Sequence, residues 1–345
     1  MLDYLIMGII LLFLAFELLF GAKLKPVNEH FFDKKNTQAL RGFWCLVIPM
    51  VHLPEMYQNR IQDMIGSFAY IGVTFFFMTS SYGLTLSSDS KPFDLWLFWR
   101  KRLPKLLIVS LIINLIFAFL NHTLFGKHIG VLNIIELNEW VIWLIACYFA
   151  FWLSNIIFTD GKKWKIATYV MIIAGSLIIY FLSKKGIITF TTWTTEIYGF
   201  VWGIILATYR DLFLKLSSQR WKVFLSISII CSALLGVCYL KCKYIPFAGD
   251  YLLKIILGVA ITAFMLIANT RIELGNKVSM FLGRISFEIY LVHFEVIDLL
   301  RDIKEWDSSG VYILSCVVLT FVCAALLHLM TDRLLLKLSG LFNYQ

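Results

Sequence analysis

The chain has 345 residues, of which 60% are hydrophobic and only 15% charged, and its mean hydropathy is +0.79. That balance excludes a soluble globule, and apolar runs that are continuous rather than alternating exclude a transmembrane β-barrel. A polytopic, all-α bundle of membrane-spanning helices remains. The net charge of +9 is accounted for by loops facing anionic lipid rather than by nucleic acid, and an aromatic content of 16% suits two interfacial belts.

Eleven spans are expected, over about 3–21, 40–56, 64–86, 104–120, 138–158, 166–182, 187–207, 222–240, 250–269, 279–298 and 311–330. The first apolar run, Leu5 to Phe20, has no basic residue before it and Lys23 and Lys25 after it. A cleavable signal has the reverse order, so this run reads as a retained helix with its N-terminus outside. Alternating from there puts 22 of the 31 lysines and arginines inside and 8 outside, with Lys254 within a span. The bias predicts a cytoplasmic C-terminus at Gln345. No loop is long enough to be a soluble domain, so any chemistry must occur among the helices. The seven cysteines fall mostly in apolar segments, with no Cys-x-x-Cys pair and no zinc-like spacing. They read as small buried hydrophobes, with neither a disulfide framework nor a metal site.

The second span opens on Arg41 and closes on His52. In a continuous helix, eleven steps bring the two within about 20° of one another, about 16 Å apart along the axis. An ionisable residue inside a span is a functional candidate. Here it stands beside a plainer reading, a snorkelling arginine and a hydrogen-bonded histidine. Pro49 predicts a kink just below His52. Glu55, three residues on, either orients the imidazole or is a solvated residue at the helix end.

The third span, through Gly72, Ser80, Ser81 and Tyr82, has the small and hydroxyl residues that let helices approach closely. Asp89 or Ser90 is expected to cap the segment that follows, with Pro92 in its first turn and Trp96 and Trp99 on an interfacial helix. Arg100, Lys101, Arg102 and Lys105 are the densest basic cluster of the chain, either a positive-inside anchor or a cradle for phosphates. Asn138-Glu139-Trp140 opens a Trp-rich span. Glu196 and Lys254, near the outer ends of the seventh and ninth spans, require partners or a wet cavity. In the tenth, Tyr290 and His293 are three apart and can face the same interior.

Four stretches together resemble the acyltransferase-3 family of integral membrane O-acyltransferases. They are Arg41-Gly42 with His52 after ten intervening residues; Gly72 through Phe75-Phe76 to Ser80-Ser81-Tyr82; Arg102-Leu-Pro-Lys105; and Ile285-Ser-Phe-Glu-Ile-Tyr-Leu-Val-His293. Their order and spacing match from about residue 38 to the end, which divides the chain into residues 1–37, an added helix and basic linker, and a ten-span family core over 38–345. Ser81 stands where the family usually has glycine, Lys105 replaces a second arginine, and the fifth span lacks a glutamate that many members carry.

The resemblance implies a bacterial-type inner-membrane enzyme. It would move an acyl group, taken as acetyl, from cytoplasmic acyl-CoA to a sugar hydroxyl of a surface polysaccharide or its lipid-linked precursor, with polysaccharide-synthesis machinery as a candidate partner. Arg100, Arg102 and Lys105 would meet the CoA phosphates, His52 would be the general base and Arg41 its partner. Glu55, Ser80, Tyr82, Glu196, Tyr290 and His293 would bind or position substrate. The alternative from another class is a polysaccharide or lipid-linked-sugar exporter without chemistry, in which Glu196 and Lys254 line the path.

Overall fold

The computed structural model describes residues 2–189 and 193–341. It is a bundle of helices with one two-stranded ribbon. Residues 190–192 of the expected seventh span, and Gln345, lie outside the described residues.

The chain begins with α1 (Leu2–Leu19), then β1 (Lys23–Leu24) and α2 (Lys34–Val47). A short α3 (Arg60–Gly66) leads into α4 (Ala69–Ser90), and α5 (Leu95–Phe125) runs back. A one-turn α6 (Val131–Ile135) precedes α7 (Glu139–Ile157) and α8 (Gly161–Lys184). Then come α9 (Tyr198–Thr208), α10 (Arg210–Gln219) and α11 (Trp221–Cys242). After α12 (Lys254–Asn269), β2 (Ile272–Glu273) pairs antiparallel with β1. The chain closes with α13 (Lys277–Arg284), α14 (Ser286–Ile303) and α15 (Ser309–Leu341). Among the described residues, 8 helical stretches are long and apolar enough to cross a membrane. The protein is a multi-pass membrane protein. The other three expected spans fall on α2 with the turn after it, on the 11-residue α9, and on α14, whose sequence keeps Glu288, His293, Glu295 and Asp298.

The centre of the bundle is α4, whose residues from Ala69 to Thr79 are all buried. Its partner α9 lies unusually close. A β-carbon at Gly199 would overlap the Thr74 carbonyl, and one at Gly203 the Met78 carbonyl and the Ser81 hydroxyl. Four-residue spacing of the two glycines puts both on the contacting face of α9, which is how small residues let backbones meet in lipid. On the other side Gly72 packs on Trp44, which ties α2 to α4. Gly42 leaves room for the buried Glu17 of α1, and Gly283 packs on the Gln38 backbone, so α1, α2 and α13 meet there.

Helix starts follow side-chain caps. Asp33 accepts from the Asn36 amide, Asp94 from the amides of Trp96 and Leu97, and Asn138 from that of Trp140. The Asp94 cap corrects the expected start at Asp89 or Ser90. Pro92 precedes the helix, and Trp96 and Trp99 lie on the first turns of one continuous α5, not on a separate interfacial helix. A carboxylate immediately before the helical run caps it in place of Asp89 or Ser90 because its oxygen reaches two orphan amides. Outside the spans, Glu273 joins Lys25 and Lys35, the latter at 2.6 Å, and clamps the ribbon to α2. Hydrogen bonds from Lys25 and Lys35 hold its carboxyl down at about 2.

Candidate active site

The basic cluster and Arg41 share one cavity. Arg41 from α2, Ser80 from α4, Lys101, Arg102 and Lys105 from α5, and Tyr290 from α14 line a space of about 310 Å³. Arg41 is anchored there by Thr79, whose hydroxyl accepts from Nε at 3.1 Å and Nη2 at 2.5 Å. Arg102 lies over the Phe98 ring at 4.8 Å. Lys105 is 3.6 Å from the fully buried Glu288 and 5.7 Å from the Phe287 ring centre. Arg100 is exposed and is not among the residues lining this cavity. With its charge concentrated on one wall, the space can hold an anionic group at its mouth.

At the opposite end of the bundle, His52 and Trp193 stand between two further cavities, of about 470 and 290 Å³. The larger takes its polar lining from α5, from α6 through the start of α7, and from Glu295 in the middle of α14. The smaller lies beneath α3, beside Tyr70, Tyr239 and the ion pair of Glu196 with Lys254 at 2.5 Å. Thr195 donates to the second Glu196 oxygen at 2.8 Å. The requirement that Glu196 and Lys254 find partners is met by each other.

α2 does not reach His52 as one helix. It ends at Val47, Ile48–Val51 tightens to a 3-10 turn, and His52 closes that turn. The expectation of one continuous helical face from Arg41 to His52 is corrected. Pro49 has no amide hydrogen to offer the helical ladder, and the backbone tightens there instead of bending. The two side chains open into different cavities rather than sharing one stripe.

Between the cavities stand Tyr290, His293 and Trp140. The Trp140 and Tyr290 rings are 4.7 Å apart, Tyr290 and His293 5.5 Å, and His293 and His52 5.2 Å. His293 is fully buried and its Nδ1 sits 3.3 Å from the Ile289 carbonyl, so that nitrogen donates and Nε2 carries the lone pair. The Tyr290 hydroxyl, the Nε2 atoms of His293 and His52, and the indole nitrogens of Trp140 and Trp193 are all buried without a hydrogen-bond partner among the described residues. Native structures rarely strand so many polar atoms in one place, and the arrangement suits a substrate passing between them.

The structure thus groups Arg41, Arg102, Lys105, Ser80 and Tyr290 at one cavity, and His52 and Glu196 around the others, with His293 between. Besides Arg100, it leaves two further expected residues elsewhere. Glu55 is exposed in the turn after His52 and lines none of these cavities. Tyr82 packs edge-on against Phe32 at 4.7 Å, away from them. Glu139, in the first turn of α7, is a site residue that the sequence motifs do not single out. It lines the large cavity with His52, as do Glu295 and Trp193. The signal was its place beside Trp140 in a Trp-rich span.

Comparison with known proteins adds to this geometry. The family model described as an acyltransferase domain, acyltransferase-3, matches residues 35–329, and the chain belongs to that family. The match begins within the first turn of α2, so α1 lies ahead of it. The chain is also similar to the acyltransferase MdmB of Streptomyces mycarofaciens, 23% identical over 360 aligned positions that cover 88% of this chain and 91% of that protein. No solved structure matches the chain.

Proposed function

We propose that this membrane acyltransferase takes an acetyl group from acetyl-CoA at its basic end and delivers it to a sugar hydroxyl at the opposite end. The acceptor is a glycan of the cell surface or its lipid-linked precursor. The observation that carries the reading is the line Tyr290–His293–His52, which runs from the cavity holding Arg41, Arg102 and Lys105 to the cavities flanking His52.

Phosphates of the donor sit against Arg102, Lys105 and Lys101, and the pantetheine arm leads the thioester past Arg41 towards Trp140 and Tyr290. The acceptor hydroxyl approaches His52 from the other side. Its oxygen attacks the thioester carbon, His52 Nε2 takes the proton, the carbon–sulfur bond breaks, and the proton leaves with the CoA thiolate as a thiol. Arg41, held by Thr79, is a fixed positive charge for the anionic donor. No metal is needed in this scheme.

The excess of lysine and arginine in alternate loops supports a basic end that faces the cytoplasm of a bacterial-type inner membrane, with the N-terminus outside. The test is acetyl transfer from labelled acetyl-CoA in membranes holding matched amounts of parent and His52→Ala protein. Transfer that depends on His52 supports the reading. Undiminished glycan modification by the variant, with no affinity of the parent for CoA, would replace it by an exporter.

A further inference from the structure

The cavity of about 470 Å³ beside His52 has a charge of one sign. Its ionisable lining besides the histidine consists of Glu136, Glu139 and Glu295, interspersed with the amides of Asn133 and Asn138, and no lysine or arginine lines it among the described residues. Lys127, on the α5–α6 connection, is engaged by Asp302 at 3.0 Å. The cavity also receives two buried polar atoms without partners, His52 Nε2 and the Trp193 indole nitrogen. It is therefore a polar pocket with a proton acceptor, a donor, an aromatic face and a negative wall.

We infer that this cavity holds the acceptor and selects polyhydroxy acceptors that are neutral or carry an amine, while rejecting those with a carboxylate or phosphate near the reacting hydroxyl. This rests on the acyl-transfer reading above. The neighbouring cavity of about 290 Å³ has no such selectivity, because its two acids, Asp63 and Glu196, are matched by Lys243 and Lys254. A carboxylate brought among three others in a partly dehydrated space meets repulsion that water screens poorly. Asparagine and glutamate side chains, by contrast, are good partners for sugar hydroxyls, and the carboxylates add charge-assisted bonds to an ammonium. The two poles of the protein are then matched to their substrates: a positive cavity for the anionic donor, a negative one for the acceptor. A lipid-linked acceptor would have to keep its phosphates outside this cavity.

The experiment separates binding from transfer. Purified protein in lipid nanodiscs, without acyl donor, is titrated with three methyl glycosides of one ring: the glucoside, an N,N-dimethylglucosaminide, and the glucuronide. The tertiary amine is chosen because it cannot form a stable amide. The glucoside and the amine are expected to bind at least roughly tenfold tighter than the glucuronide. Glu139→Gln and Glu295→Gln are each expected to narrow that gap. Equal or tighter binding of the glucuronide, an unchanged gap in both variants, or binding by none of the three overturns the inference. The same preparations are then supplied with labelled acetyl-CoA. Selective binding without His52-dependent transfer would sink the acyl-transfer reading and leave the charge selectivity standing; unselective binding with transfer would do the reverse.

Discussion

Lys105 Nζ lies 3.6 Å from the Glu288 carboxylate, and the same oxygen lies 3.1 Å from His328 Nδ1. The other His328 nitrogen is 3.2 Å from Asp332. Lys105 thus shares its charge with a buried acid on α14. Arg102, three residues before it, lies instead over the Phe98 ring.

The two cations should therefore differ in what they give a phosphate. Arg102→Ala is expected to weaken CoA binding by about 1.5–3 kcal/mol, the worth of a charge-assisted hydrogen bond. Lys105→Ala should cost less, because part of the lysine's charge is already engaged by Glu288. Equilibrium binding of CoA to purified protein ranks the variants. A larger loss for Lys105→Ala would overturn the ordering, and no loss for either would make the cluster an anchor only.

Much of this organisation was legible beforehand because it rests on local chemistry. Apolar runs mark the spans, and Asn138 announces the start of α7 through the amide of Trp140. Arg41, Arg102, Lys105 and Tyr290 could be named because charged and hydroxyl side chains are costly in apolar segments. What remained hidden depends on distant pairings. The fate of α2 beyond Val47 is decided by how Pro49 packs, which spacing alone does not reveal. Glu139 and Glu295 are far apart in sequence and line one cavity only because the fold brings the start of α7 and the middle of α14 to it. The apposition of Gly203 to Met78 and Ser81 similarly needs two helices that are neighbours in space only.

Gly203 gives a test of that packing. An alanine there places its methyl group on the Met78 carbonyl, and backbone cannot move aside as a side-chain tip can. Gly203→Ala is expected to lower thermal stability in detergent by roughly 1–3 kcal/mol, the usual cost of overpacking. Gly83→Ala, on α4 but with open space around its β-carbon, should be neutral or slightly stabilising through helix propensity. Equal melting temperatures for the two variants would contradict the close α4–α9 contact.

The ribbon clamp carries a pH dependence. The Glu273 carboxyl titrates at about 2 in the folded protein against an ordinary 4.5, because Lys25 and Lys35 favour its charged form. A depressed carboxyl contributes stability above its unfolded value and loses it as pH falls through the interval from 4.5 to about 2. The effect is small, since both lysines reach solvent. Glu273→Gln should therefore melt below the parent at neutral pH, and the two should converge as the sample is acidified through that interval. A constant difference across it would show that the clamp is not electrostatic.

The sharpest prediction concerns the two histidines, whose rings are 5.2 Å apart on different elements. His52 lines both cavities at its end of the bundle and His293 lines neither, so His52 is the one of the pair placed to meet an acceptor hydroxyl. His293 is sealed among Tyr290, Phe294 and His52, with its Nδ1 committed to Ile289. His52→Ala is expected to lower the transfer rate by about 10²–10⁴, the usual worth of a general base, with folded protein still in the membrane. His52→Gln keeps a polar group but cannot shuttle a proton, so it should be nearly as slow. His293→Ala should cost less in rate and more in thermal stability, because it empties a fully buried site. For the parent, acid should slow transfer, since an imidazolium cannot accept the hydroxyl proton. Initial rates with labelled acetyl-CoA, normalised to folded protein, decide the assignment. If His293→Ala proves the slower enzyme while His52→Ala keeps near-parental turnover, the base belongs to α14 and the acceptor must reach it through the Trp140–Tyr290 pair.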